Sequence, residues 1–253
     1  VMNEGIISTR LGLPGNPNIA ESTMVYRDLK LAEMTGARLH VPHVSTATSV
    51  DHIKHMKNNN NNITAEVTPH HLFFNDESLI NYDTNLKVAP PIRNDISRKA
   101  VVKGILEGVI DCIATDHAPH TLDEKNNKYF SAPSGGPLVQ HAMISVLELV
   151  RQGKISLSKA VEKMCHAPAE LFQIPNRGYI KKGFQADMVL VNLNNPWVVS
   201  KSNILYKCGW SPFEGQEFSA QIKATFVNGV KVYEDGEIIE PISNPAQKLI
   251  FSR

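Results

Sequence analysis

Cysteine is scarce in this chain. Its 253 residues hold three, Cys112, Cys165 and Cys208, odd in number and far apart. That spacing excludes a disulfide framework and points to a reducing compartment, hence the cytoplasm. Long apolar runs are missing too: none approaches the roughly 18 residues of a membrane span. Charge of one sign is not in excess, with 26 basic against 25 acidic residues and a net charge of +1. No basic block stands out, so neither nucleic acid nor an anionic membrane surface is called for. No CxxC ribbon, HExxH helix or GxSxG elbow occurs, which removes zinc ribbons, zincins and serine hydrolases of the elbow type. The opening Val1-Met2-Asn3-Glu4-Gly5 carries no signal-peptide pattern and reads as the interior of a longer sequence.

What is present suits one large domain or a domain with an appendage: 42% hydrophobic and 20% charged residues. Leu11 to Asn18 is rich in Gly, Pro and Asn and reads as a loop. The pattern then predicts a helix over 20–35 with Val25, Leu29 and Ala32 on one face, stopped by Gly36. A strand follows over 38–44, a helix over 45–57, a strand over 63–67, a helix over 97–106 and a strand over 109–114. The asparagine run Asn58 to Asn62 reads as a surface turn. Thr68 to Asp95 reads as irregular. Strands alternating with helices predict an α/β fold with a parallel sheet, and the short apolar strands predict a sheet covered on both faces. No Gly-rich phosphate loop follows any strand. Helices are expected over 138–152, 157–166 and 168–172. From Gly178 the texture changes to strands over 186–192, 223–228 and 230–233, with turns at Asn228-Gly229 and Asp235-Gly236. The division is therefore placed at 1–177 and 178–253. Three βα strands cannot close a barrel of eight, so the sheet reads as the last part of something larger.

Ten histidines bear on the chemistry. Thr115-Asp116-His117-Ala118-Pro119-His120-Thr121 follows a strand end, where parallel-sheet enzymes place reactive groups. A carboxylate flanked by imidazoles can bind metal, relay a proton and hold an anion; the bland reading makes Asp116 a turn cap. In His40-Val41-Pro42-His43, strand alternation puts the two histidines on opposite faces. His43, at the C-terminal end, is the candidate ligand, and His40 is read as structural. In Glu66-Val67-Thr68-Pro69-His70-His71 the histidines are read as supporting groups. Three such strand ends suggest a hydrolytic metal site in a β/α barrel. One His and one Asp do not complete a tetrahedral zinc site.

These segments, with Gly5, Leu11-Gly12-Leu13-Pro14-Gly15, Cys165-His166-Ala167-Pro168-Ala169 and Gly183-Phe184-Gln185-Ala186-Asp187, resemble the long bacterial-type dihydroorotases of the amidohydrolase superfamily. The resemblance covers nearly the whole chain. It implies the C-terminal part of a TIM-type (β/α)8 barrel with two zinc ions, plus a small β-sandwich module built from both chain ends. It implies reversible hydrolysis of the cyclic amide of dihydroorotate to N-carbamoyl-aspartate in pyrimidine biosynthesis. His43 matches the last histidine ligand and Asp116 the aspartate ligand. Asp116 also matches the proton shuttle, taking the proton of the attacking hydroxide and delivering it to the departing nitrogen. His120 matches a substrate-carboxylate contact, and Ser134 and Gly135 match backbone contacts to the ring. The family's His-x-His pair, bridging carboxylate and other histidine have no counterpart here. The chain alone is thus expected to be inactive.

Ala89 departs from the family's substrate-binding Asn and Pro42 from a frequent Cys. Ala89 keeps an allantoinase or hydantoinase/dihydropyrimidinase in view as the alternative. A homodimer and association with aspartate carbamoyltransferase are the partners the resemblance allows. A non-catalytic subunit supporting that transferase is a further reading, opposed by the intact His43, Asp116 and His120.

Overall fold

Residues 63–67 set the character of the sheet. A computed structural model describes residues 2–60 and 62–252. In it Ile63, Ala65 and Val67 are buried while Thr64 and Glu66 are half-buried, the alternation of a strand with one covered face. This strand, β2 (Ile63–Val67), lies between β1 (Leu39–Val41) and β3 (Cys112–Ile113), all parallel. The expected covering of both faces does not hold among the described residues. His40, Thr64 and Glu66 form a polar, half-exposed face.

Helices α1 (Asn18–Thr35), α2 (Ala47–Lys57) and α4 (Asp95–Leu106) supply the core, with α3 (Pro69–Phe73) after β2. Val25, Leu29, Val50, Ile53, Met56, Val101 and Ile105 are buried, each contributing about 1.5–3 kcal/mol of transfer free energy. A Cβ at Gly104 would sit 3.2 Å from both Val50 and Ile110 side chains, so glycine permits the approach of α4. Lys57 pairs with Asp111 at 2.8 Å, and Asp111 accepts from the Ala65 amide at 2.7 Å. The hydrogen bond ties the residue before β3 to β2, and the ion pair ties it to the end of α2.

Boundaries follow local chemistry. Gly36 ends α1 at φ 69°, as expected. Strand β1 stops at Val41, short of the predicted Val44, because His43 leaves extended geometry at φ 36°. The alternation argument for His40 and His43 therefore does not reach His43. Helix α4 starts at Asp95 rather than Ser97, since Asn94 caps it by accepting from the Ser97 amide. The stretch 68–95 holds α3 and two 3₁₀ turns, Asp76–Leu79 and Thr84–Leu86. The first residues, read as loop, pair Met2–Asn3 with Gly15–Asn16 around a helix, Ile6–Leu11. In the asparagine run, Asn59 turns back onto Met56; Asn61 lies outside the described residues.

By its contacts the chain forms two compact units, 1–142 with 204–212, and 143–203 with 213–253. This division differs from the expected 1–177 and 178–253, which rests on the change of sequence texture at Gly178. The second unit carries an antiparallel sheet, with Glu237–Ile238, Val230–Glu234, Gln221–Val227 and Met188–Asn192 in that order. Its hairpin turns use Asn228-Gly229 and Asp235-Gly236, all four at positive φ. The helix predicted over 157–166 is α-helical over Leu157–Val161 and continues as a π turn over Glu162–His166. No helix among the described residues is long and apolar enough to cross a membrane.

His141 gives the first unit a pH dependence. It is fully buried, its Nδ1 lies 3.0 Å from Ser211 Oγ, and burial pushes its imidazole down to about 4. The folded state thus holds it neutral, whereas the unfolded chain takes up a proton below the ordinary 6.5. Its contribution is complete above that value and is lost as pH falls towards 4, by about 3 kcal/mol. Urea unfolding of His141→Gln across this window should show a shallower acid loss than the parent. Equal slopes would assign the acid sensitivity elsewhere.

Candidate metal and substrate site

Three neighbouring strand ends deliver the candidate residues. His43 follows β1, Thr68 to His71 follow β2, and Asp116 follows β3. The Val44 amide donates to Glu66 O at 2.9 Å and the Ala114 amide to Val67 O at 3.0 Å, so the ladder continues up to the reactive positions. There the backbone turns. His43 has φ 36° and Asp116 φ 49°, left-handed conformations that cost a side-chain-bearing residue about 1–2 kcal/mol. Strain of this kind persists where the surroundings over-determine it, and it collects at functional positions.

The surroundings of His43 do over-determine it. Glu21 on α1 accepts from the amides of Ser45 and Thr46 at 3.1 and 3.0 Å and from both their hydroxyls. Arg93 donates from Nε to Ser45 Oγ at 3.0 Å and from its terminal nitrogens to Asn16 O and Asn16 Oδ1 at 2.6 and 3.0 Å. It lies 3.7 Å from the Glu21 carboxylate. Burial opposes ionisation of Glu21, but the hydrogen bonds from Ser45 and Ser49 and the charge of Arg93 outweigh it and hold the carboxyl below its usual range. The residues just after His43 are thereby clamped.

His70 and His71 are buried, and Thr68 Oγ1 lies 3.0 Å from His70 Nε2 and 2.7 Å from His71 Nδ1. Burial, and then the neighbouring imidazoles, push His70 well below its ordinary value; burial pushes His71 down to about 4. Both are neutral at pH 7. His70 Nδ1 is buried with no hydrogen-bond partner among the described residues.

His120, Ser134 and Gly135 come together. His120 Nε2 lies 3.1 Å from Ser134 O, and a Cβ on Gly135 would meet Ala118 O at 2.7 Å and His120 Nε2 at 3.2 Å. Gly135, at φ 128°, is required there on both counts. Two buried ammonium groups hold this loop. Lys87 donates to the carbonyls of Tyr129 and Ala132 at 2.5 and 2.6 Å, and Lys125 to those of Pro133 and Gly135, both at 2.9 Å. Burial, with the charge of Lys87, pushes Lys125 down to about 8. Trp210 Nε1 donates to His120 O at 2.8 Å. A cleft of about 400 Å³ opens beside this loop, lined by His117, Pro119, His120, Tyr206 and Cys208 among others. Nothing in the sequence singles out Lys87, Lys125 or Glu21. Their function is carried by backbone carbonyls and amides that no motif displays.

In kind, His43 and Asp116 suit zinc: one imidazole and one carboxylate. In number they are half of a tetrahedral set. Neither belongs, among the described residues, to a group of three donor atoms within 4.8 Å of one another.

The model of the amidohydrolase family matches residues 10–232. The chain belongs to the amidohydrolase family. Within it, the chain is 45% identical over 235 residues to a dihydroorotase of Carboxydothermus hydrogenoformans, covering 92% of this chain and 55% of the relative. It is 42% identical to a dihydroorotase of Syntrophus aciditrophicus, covering 93% and 55%. Among solved structures, an L-hydantoinase (dihydropyrimidinase) from Arthrobacter aurescens superposes with a TM-score of 0.83 at 29% identity, covering 89% of this chain and 51% of that one. The chain spans about half the length of the curated relatives it matches.

Proposed function

We propose that this chain supplies one part of a dihydroorotase active site, hydrolysing the cyclic amide of dihydroorotate to N-carbamoyl-aspartate in pyrimidine biosynthesis. The observation that carries the reading is the pair of left-handed residues, His43 and Asp116, at the ends of two strands of one parallel sheet. Identity to dihydroorotases above 40% supports the substrate assignment. The wider architecture is proposed with it: the C-terminal part of a (β/α)8 barrel over 1–177 and a β-rich module over 178–253.

His43 and Asp116 would hold zinc, with the remaining family ligands completing two ions. A zinc ion held there would supply Lewis-acid polarisation of the scissile carbonyl and a more acidic attacking water. The Asp116 carboxylate accepts that water's proton and returns it to the ring nitrogen as the C–N bond breaks and the C–O bond forms. His120 donates to the substrate carboxylate, and the backbone of Ser134 and Gly135 lies against the ring. A cytoplasmic location, a homodimer and association with aspartate carbamoyltransferase belong to the same proposal.

Ala89 favours a second reading. An exposed methyl stands where a substrate-binding amide is expected, and L-hydantoinase has a similar fold. His120 separates the two. Dihydroorotate carries a ring carboxylate that hydantoin lacks, and a charge-assisted hydrogen bond to it contributes about 1.5–3 kcal/mol. In protein carrying the complete family ligand set, His120→Ala should lower kcat/KM for dihydroorotate by roughly 10–200-fold. Turnover of an uncharged cyclic amide should fall much less. If hydantoin is the better parent substrate and equally sensitive, the dihydroorotase reading fails.

A further inference from the structure

The polar face of the parallel sheet carries a second group of metal-type donors, involving neither His43 nor Asp116. His40 Nε2 lies 3.0 Å from Glu66 Oε2, and Cys112 Sγ lies 4.0 Å from the same oxygen. Strand register places them together. Glu66 pairs with Cys112 across β2 and β3, while His40 pairs with Thr64, one same-face position before Glu66. All three donor atoms fall within 4.8 Å of one another.

Three further features suit a cation. A tetrahedral zinc ion separates its nitrogen and oxygen donors by about 3.3 Å and its sulfur and oxygen donors by about 3.6 Å. The observed 3.0 and 4.0 Å bracket those spans, so small side-chain rotations suffice. His40 Nδ1 is held 3.0 Å from Thr64 Oγ1, the outer hydrogen bond that orients a ligating imidazole. Glu66 has a side chain 15% exposed and pairs with no Lys or Arg among the described residues, its ion-pair partner being His40. A half-buried carboxylate in that position calls for counter-charge. With the Cys112 thiolate, a divalent cation would leave the three-residue site neutral.

We propose that His40, Glu66 and Cys112 form a binding site for a thiophilic divalent cation of the zinc type, with water completing the coordination. The thiol releases its proton to solvent as the metal–sulfur bond forms.

Cobalt(II) tests this in the full chain. The expected result is a thiolate-to-cobalt charge-transfer band that saturates at one ion, because a site of His and Asp alone contains no sulfur. The band should persist in Cys165→Ser, Cys208→Ser and Asp116→Asn, and vanish in Cys112→Ser with an unchanged circular dichroism spectrum. Thr64→Val, which removes the outer hydrogen bond of His40, should weaken cobalt binding about 10–100-fold, and His40→Gln should weaken it at least as much. Absence of the band in the folded parent chain would overturn the proposal, leaving a hydrogen-bonded cluster. So would its survival in Cys112→Ser.

Discussion

Replacing Asp116 by Asn in protein that carries the complete family ligand set should lower dihydroorotate hydrolysis by about 10²–10⁴-fold. Asparagine nearly preserves the shape, and it tolerates the left-handed backbone found at this position, φ 49°. The fold is therefore expected to survive, and unfolding midpoints of the two proteins should agree closely. In the proposed mechanism, what disappears is a carboxylate that accepts a proton and returns it, together with one anionic metal donor. Steady-state assay with and without added zinc separates the two losses. If added zinc restores full turnover, Asp116 acts only as a ligand. Turnover within a few-fold of the parent, without added metal, would remove it from both roles.

Arg93→Met should have the largest effect on stability, about 3–5 kcal/mol. Arg93 is buried and serves Ser45, Asn16 and Glu21 together. Removing it leaves the Glu21 carboxylate without its counter-charge and Asn16 O with the Glu4 amide as its remaining donor, and those losses dominate the packing change. The double variant Arg93→Met/Glu21→Gln should recover part of the loss, because the stranded charge goes with it. Urea unfolding measures both. A loss below about 1 kcal/mol in the single variant would mean that water replaces the guanidinium.

Much of the first unit was legible because its periodicities are local. Strand 63–67 coincides with its expectation, and α1 and α2 begin within two residues of theirs. Strand lengths were overestimated at both places because apolar composition outruns extended geometry, past Val41 in 38–44 and ahead of Cys112 in 109–114. A left-handed His43 has no compositional sign. Proximity of His120, Ser134 and Gly135 could be expected only from resemblance, since 14 residues separate His120 from Ser134. The ammonium groups that hold their loop were invisible, because a lysine destined for burial reads like any surface lysine. The Glu66 side chain was read as part of a strand end, and its partnership with His40 and Cys112 depends on interstrand register, which a single sequence does not state.

The left-handed backbone at His43 and Asp116 sets two selective pressures against each other. Glycine relaxes that conformation at no steric cost, so a library of variants sorted only for thermal resistance would be drawn towards glycine at both positions. Descendants of such a lineage would be hardier than the parent and, on the proposed roles of these residues, chemically mute. An imidazole and a carboxylate at these two turns therefore carry a backbone cost that the proposed chemistry would have to offset.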